Sequence, residues 1–173
     1  DYFYHSSAIE TIKDHSVRLA HEIAEMNPRR VVEIGCNDGV LLNPLSKLGV
    51  KSIGVDPSKV AGEISDPNIT VINECFGIGV VDGKADVIVA NNVFAHISDI
   101  KSATQAVKSL LDDNGVFMFE VNRLDSMVSF LQYDWIYHEH LYYYSLLSLQ
   151  KHFAKYGLEV FECRRLANHA GSM

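Results

Sequence analysis

Tyr137, His138, Glu139 and His140 crowd a phenol, two imidazoles and a carboxylate into one short stretch. An imidazole titrates near neutral pH, so one oriented by a nearby carboxylate can take a proton from carbon beside a carbonyl. If the segment is extended, His138 and His140 share one face and Glu139 points the other way. Three readings stand side by side. The histidines could bind a metal, although no spaced third ligand accompanies them. They could be satisfied polar residues of an aromatic loop, or one of them could be a general base. The setting is aromatic: residues 133–144 hold five of the eight tyrosines and the single tryptophan.

A second constellation lies earlier. Val31-Val32-Glu33-Ile34 reads as a short buried strand, and Gly35-Cys36-Asn37-Asp38-Gly39 as the turn that closes it. Glycine suits that turn because the backbone must bend sharply and approach a ligand. A dinucleotide site wants Gly-x-Gly-x-x-Gly against the pyrophosphate. Here Asn37 stands in place of the middle glycine, and Glu33 and Asp38 add negative charge. Two carboxylates would repel a pyrophosphate. They suit a phosphate-free cofactor carrying positive charge, such as the sulfonium and ammonium of S-adenosylmethionine. Asp56 closes the next strand, 51–55, where a carboxylate can accept both ribose hydroxyls, and Pro57 fits the first turn of a helix. Cofactor contacts are expected at Glu33, Gly35, Asn37, Gly39, Asp56 and Pro57, with Glu74 and Asn91 joining from the ends of later strands.

The elements that must position these groups follow from periodicity and punctuation. Ser6 or Ser7 is expected to cap a helix to about Met26, with Ile12, Leu19, Ile23 and Met26 on one face. Strands are expected at 69–72, 85–90, 116–121 and 158–166. Ser98 and Ser145 should cap helices to about Leu111 and Tyr156, and Asp112 to Gly115 reads as a turn. Asn168 to Gly171 would turn toward a seventh strand that the chain is too short to complete. Strands alternating with helices predict a Rossmann-like α/β domain over 1–173, its sheet mostly parallel. Ligands of such sheets lie outside the carboxyl ends of the strands.

Bulk properties bound the partners. A net charge of −7 argues against nucleic acid, whose phosphates call for a basic surface. Cys36, Cys75 and Cys163 are odd in number and unpaired in spacing, so free thiols are expected, with no zinc site. The chain shows no apolar run long enough for a membrane span and no signal-peptide pattern. A cytoplasmic protein with no membrane partner is expected.

Tyr137, Glu139 and His140 form a Tyr-x-Glu-His pattern that resembles the nucleotide-diphosphate-sugar C-methyltransferases. Other pieces fall in the same order. Tyr2, Tyr4, Ser6 and Ser7 are similar to the family's Tyr-x-Tyr-x-Ser-Ser opening. VVEIGCNDG is similar to its cofactor motif, Asn91 to Ile97 to its Asn-x-x-x-x-His-Ile segment, and His169 to Ser172 to its His-Gly-Gly-Ser stretch, with Ala170 replacing the first glycine. The resemblance implies methylation of carbon 3 of a nucleotide-linked 4-keto-6-deoxysugar. His140 would be the base that forms the enolate, Tyr137 and Glu139 would position sugar and base, and His96 would meet the substrate near the ketone. Tyr2 or Tyr4 would close over the pocket. It implies no metal, and it implies flanking zinc-binding and carboxy-terminal domains that share the sugar-nucleotide site. An O- or N-methyltransferase of the same fold, or a non-catalytic module, remains the alternative.

Overall fold

Strand β1 (Val31–Ile34) is buried along its whole length. Such a strand has no solvent face, which explains its near-continuous apolar sequence. In the computed structural model, which describes residues 5–166 and 171–173, β1 is the centre of a five-stranded sheet of order β3-β2-β1-β4-β5. The others are β2 (Ser52–Val55), β3 (Ile69–Ile72), β4 (Ala85–Asn91) and β5 (Leu111–Glu120). All neighbours pair in parallel. Strand order reverses between β1 and β4, which is where such sheets open a ligand crevice.

Two cores result, one on each face. On one, α1 (Glu10–Glu25) and α2 (Leu42–Lys47) bury Leu19, Ile23, Leu41, Leu42 and Leu45 against Val31, Val87 and Val89. Gly54 makes this packing possible. A Cβ there would lie 2.5 Å from Cys36 Sγ and 2.7 Å from Leu42 Cδ1. On the other face, α3 (Ile100–Leu110) and α5 (Leu146–Ala154) cover an aromatic group. The ring of Phe94 lies 5.4 Å from Phe117, 5.8 Å from Phe119 and 6.3 Å from Phe153. The Thr104 hydroxyl donates to the Ile100 carbonyl and accepts from His152 Nε2, which pins α5 to α3.

Several expectations need correction. Ser6 and Ser7 cap no α-helix. They open a 3-10 turn, Ser6–Ala8, and α1 begins at Glu10 behind Ile9. The Ser6 and Ser7 amides are drawn elsewhere, to Asn37 and Asp38. Asp99, not Ser98, caps α3, because a carboxylate one residue later reaches the Ser102 amide. Ser145 does cap α5, through a reciprocal box with Ser148. Residues 112–115 lie within β5 as an irregularity, the pairing jumping from Ala85–Leu111 to Val87–Val116. A helix absent from the sequence reading, α4 (Leu124–Ser129), leaves the end of β5, and a 3-10 turn follows at Tyr133–Trp135.

The expected strand 158–166 does not form. A groove of about 610 Å³ separates this segment from the outer edge of β5, so it has no ladder to join. Asn168 to Ala170 lie outside the described residues. At Asn122–Ser172 the chain returns to the end of β5 in an antiparallel bridge, and Val121 and Met173 exchange backbone hydrogen bonds.

Phe94 is fully buried and joins β4, β5 and α5 through one ring cluster. Phe94→Ala is expected to cost about 3–5 kcal/mol in urea unfolding, while Phe161→Ala, at an exposed ring, stays within about 0.5 kcal/mol of the parent.

Candidate active site

The turn after β1 is held by hydrogen bonds from three directions. Asp56, buried at the end of β2, accepts from the Asn37 amide through Oδ2 at 2.9 Å and from the Ser58 amide through Oδ1 at 2.8 Å. Asn73 fastens the same corner, donating Nδ2 to the Asp56 and Ser58 carbonyls. From above, the Ser6 amide donates to Asn37 Oδ1 and the Ser7 amide to Asp38 Oδ2. Gly35 and Asn37 both have left-handed φ, +72° and +48°. Asparagine tolerates this region better than most side chains, which accounts for its standing where a glycine is usual.

Negative charge accumulates here, with His5 Nδ1 approaching Asp38 Oδ2 at 3.7 Å. Burial first, then the Asp56 and Asp38 charges, hold the Glu33 carboxyl well above the usual carboxylate range. Glu33 Oε2 and Asp38 Oδ1 are buried with no hydrogen-bond partner among the described residues. Buried acceptors of that kind are costly unless something donates to them. An ammonium group and ribose hydroxyls supply such donors, so the residues present fit S-adenosylmethionine. Glu33, Asp38 and Asp56 would hold it against the Gly35–Gly39 turn.

A second cluster forms across the β4 loop. The Leu141 amide donates to the Ala95 carbonyl at 2.8 Å. The Tyr144 hydroxyl donates to the Phe94 carbonyl, and that of Tyr142 to the Ser98 carbonyl. These bonds strap residues 141–144 onto the segment after β4. They bring the rings of His96 and His140 to 4.9 Å, with Tyr137 4.1 Å from His140 and Trp135 stacked on it at 5.9 Å.

The contacts specify each imidazole. His140 Nδ1 lies 3.1 Å from the Trp135 carbonyl, an acceptor, so Nδ1 carries a proton and donates. Nε2 is then left as the acceptor, 2.8 Å from the Tyr137 hydroxyl. Desolvation by burial lowers the His140 pKa, with the Trp135 contact opposing it and His96 adding to it. The ring therefore stays neutral, its lone pair at Nε2. Burial raises the Tyr137 pKa, which keeps that hydroxyl a donor. His96 Nδ1 donates to the Glu139 carbonyl at 2.9 Å, so a neutral His96 also presents Nε2 as an acceptor.

The predicted site residues thus sort themselves. Glu33, Gly35, Asn37, Gly39 and Asp56 surround one turn, and Asn91 ends β4 on the far side of β1. Pro57 and Glu74 are exposed, Glu74 just beyond the edge strand β3. His96, Tyr137 and His140 meet. Glu139 contributes its carbonyl, while its carboxylate is half exposed, 3.9 Å from His138. His138 and His140 do not share a face. Residues 137–140 form a turn, His140 N–H bonding the Tyr137 carbonyl, and the His138 side chain is 91% exposed. Among the described residues no group of histidine, cysteine or carboxylate side chains could hold a metal. Reading the sequence missed the roles of Asn73 and Trp135 and the tie from the Ser6 and Ser7 amides, because each is a hydrogen bond made to or from a main-chain group.

A methyltransferase-domain family model matches residues 4–162. The chain is 35% identical over 150 residues to the C-methyltransferase NovU of Streptomyces niveus, covering 83% of this chain and 36% of that protein. It is 30% identical over 96 residues to a ubiquinone biosynthesis O-methyltransferase of Bradyrhizobium diazoefficiens, covering 51% and 38%. The chain thus spans between a third and two fifths of the length of these curated relatives. Among solved structures, magnesium protoporphyrin IX methyltransferase of Synechocystis PCC 6803 with bound SAH superposes with a TM-score of 0.70 at 16% identity, covering 92% and 80% of the two chains. The glycopeptide N-methyltransferase MtfA complexed with S-adenosylmethionine gives 0.55 at 15% identity, covering 64% and 56%. At such identities the likeness is one of fold. No helix of the described residues is long and apolar enough to cross a membrane.

Asp56→Ala removes the acceptor of two amides at the base of the cofactor turn. It is expected to lower stability by about 2–4 kcal/mol in the absence of any ligand, read by urea unfolding. It should also weaken S-adenosylmethionine binding in titration calorimetry.

Proposed function

The chain belongs to the methyltransferase-domain family, and on that footing we propose that it methylates carbon 3 of a nucleotide-linked 4-keto-6-deoxysugar with His140 as the base. The observation that carries this reading is the setting of the His140 ring, its Nδ1–H tied to the Trp135 carbonyl and its Nε2 left as the acceptor of the Tyr137 hydroxyl. S-adenosylmethionine, when bound, supplies the electrophilic methyl and departs as a neutral thioether.

The residues then divide the work. His140 Nε2 takes the proton from the carbon that the neighbouring ketone acidifies, and the C–H electron pair becomes the enolate that attacks the methyl. The substrate displaces the Tyr137 hydroxyl from Nε2, leaving it beside the ring as a donor for the developing enolate oxygen. His96, with Nδ1 committed to the Glu139 carbonyl, would offer Nε2 to a substrate hydroxyl. It would polarise the ketone only as an imidazolium. Glu139 works chiefly through its carbonyl, which sets the His96 tautomer.

Two further observations support carbon as the acceptor atom and a shared substrate site. The match to NovU covers 83% of the chain, whereas that to the O-methyltransferase covers 51%. Because the chain spans 36% of NovU's length, we take the sugar-nucleotide pocket to be completed by flanking domains of the full-length protein.

His140→Ala in the full-length protein is expected to lower kcat about 10²- to 10⁴-fold while leaving S-adenosylmethionine affinity unchanged. Full activity of that variant would remove the assigned base. The pH profile gives an independent check. Because burial lowers the His140 pKa, the base form persists as pH falls. The acid limb of kcat/KM should therefore lie below about 6.5, the ordinary imidazole value. An acid limb at or above that value would contradict a desolvated base.

A further inference from the structure

One buried carboxylate takes no part in the chemistry above. Glu120 ends β5, its side chain 9% exposed, and Oε1 accepts from Nε2 of His15 on α1. Its other oxygen, Oε2, is buried with no partner among the described residues. Close by, Asn92 donates its amide to the Glu120 carbonyl and carries a second buried acceptor without a partner, Oδ1. A carboxylate is not left with a bare buried oxygen at no cost. A donor belongs there.

Sheet register says on which side of the crevice it lies. Glu120 pairs with Asn91 of β4, and β4 separates β5 from β1. The acidic groups of the cofactor turn, Glu33, Asp38 and Asp56, sit on β1, its turn and β2. Glu120 therefore lies beyond β4 from them, at the carboxyl end of the sheet and away from the cofactor turn. A carboxylate repels phosphate and accepts from hydroxyls, so the sugar ring of the acceptor suits it and the diphosphate does not.

We propose that Glu120, oriented by His15, binds a hydroxyl of the methyl acceptor through its free Oε2. The proposal rests on the reading of the acceptor as a sugar. His15 occupies Oε1 and so leaves Oε2 as the oxygen without a partner among the described residues. The residue touches substrate and does not transfer a proton. His15 is a positioning residue, and α1 also carries, through the preceding turn, the Ser6 and Ser7 contacts to Asn37 and Asp38.

The test uses the full-length protein with Glu120→Ala, Glu120→Gln and His15→Gln, assayed on a nucleotide-linked 4-keto-6-deoxysugar. Glu120→Ala should raise the acceptor KM about 10- to 100-fold with S-adenosylmethionine affinity and thermal midpoint nearly unchanged. Glu120→Gln, which keeps an acceptor oxygen, should recover part of the loss, and His15→Gln should show a smaller rise. Weakened cofactor affinity with an unchanged acceptor KM would make Glu120 a cofactor ligand and overturn the proposal. A fall in thermal midpoint with kcat lost and KM unchanged would reduce the pair to a structural tie and also overturn it. If the parent protein neither binds nor methylates the sugar nucleotide, the substrate reading fails and takes this proposal with it. If the parent turns it over and Glu120→Ala keeps its KM, the proposal alone fails.

Discussion

The missing Cβ of Gly35 is the constraint on which the site depends. Built onto this backbone, that atom would lie 2.7 Å from Cγ2 of Val93, closer than two carbons can approach. Its absence lets the segment after β4 press against the cofactor turn. Val93 leads directly to Phe94, whose ring anchors in the aromatic core, and then to His96, whose amide bonds the Val93 carbonyl. The distance between the cofactor turn and the histidine cluster is thus set by close packing. Interiors this dense transmit small displacements instead of absorbing them. Methyl transfer needs reacting atoms held within a few tenths of an ångström of contact, and a packed spacer of this kind provides that where a flexible loop would not.

Backbone carbonyls do the finer work. The two histidines that meet, His96 and His140, each have Nδ1 committed to a carbonyl, of Glu139 and Trp135 respectively. A carbonyl cannot donate, so it admits one neutral tautomer and places the lone pair on Nε2. This explains why His140 and His138, two positions apart, differ so completely. His138 points to solvent with only the Glu139 carboxylate near it. His140 is partly desolvated, stacked on Trp135 and supplied with a fixed proton. The turn at 137–140, not the residue type, decides which imidazole becomes a candidate base.

That distinction also marks what a linear sequence can reveal here. Strands β1 to β4 were legible because buried strands of a parallel sheet are almost unbroken apolar runs, and the turn after β1 because glycines and carboxylates in that order admit few cofactors. His140 and Tyr137 were legible as a pattern of residue types. The turn at 137–140, which leaves the extended alternative unrealised, was not legible because nothing in those letters records the hydrogen bond from His140 to the Tyr137 carbonyl. The strand expected at 158–166 failed for a different reason. Val160 and Phe161 have the propensity, but a strand exists only against a partner, and here the groove beside β5 intervenes. Ser6 and Ser7 look like helix caps, and their amides serve the cofactor turn instead. Asn73 and Trp135 were invisible because the Asn73 side chain bonds main-chain carbonyls and Trp135 offers its own carbonyl, groups that every residue possesses.

Electrostatics orders the two ligands that the proposed reaction needs. The cofactor turn concentrates Glu33, Asp38 and Asp56, and Glu33 is so unfavourably placed for a charge that its carboxyl binds a proton more tightly than usual. A cation entering there relieves that repulsion. A diphosphate entering there would meet it, at short range and in a medium where charges interact far more strongly than in water. On the proposed reading, a sugar nucleotide would be directed toward the β4–β5 half of the crevice with its phosphates outermost, and its uncharged ring would be the part able to pass inward to His140. The same acidic character that argues against nucleic acid as a partner would thus select the orientation of the smaller anionic one proposed here. Specificity of this kind comes as much from what the site repels as from what it holds.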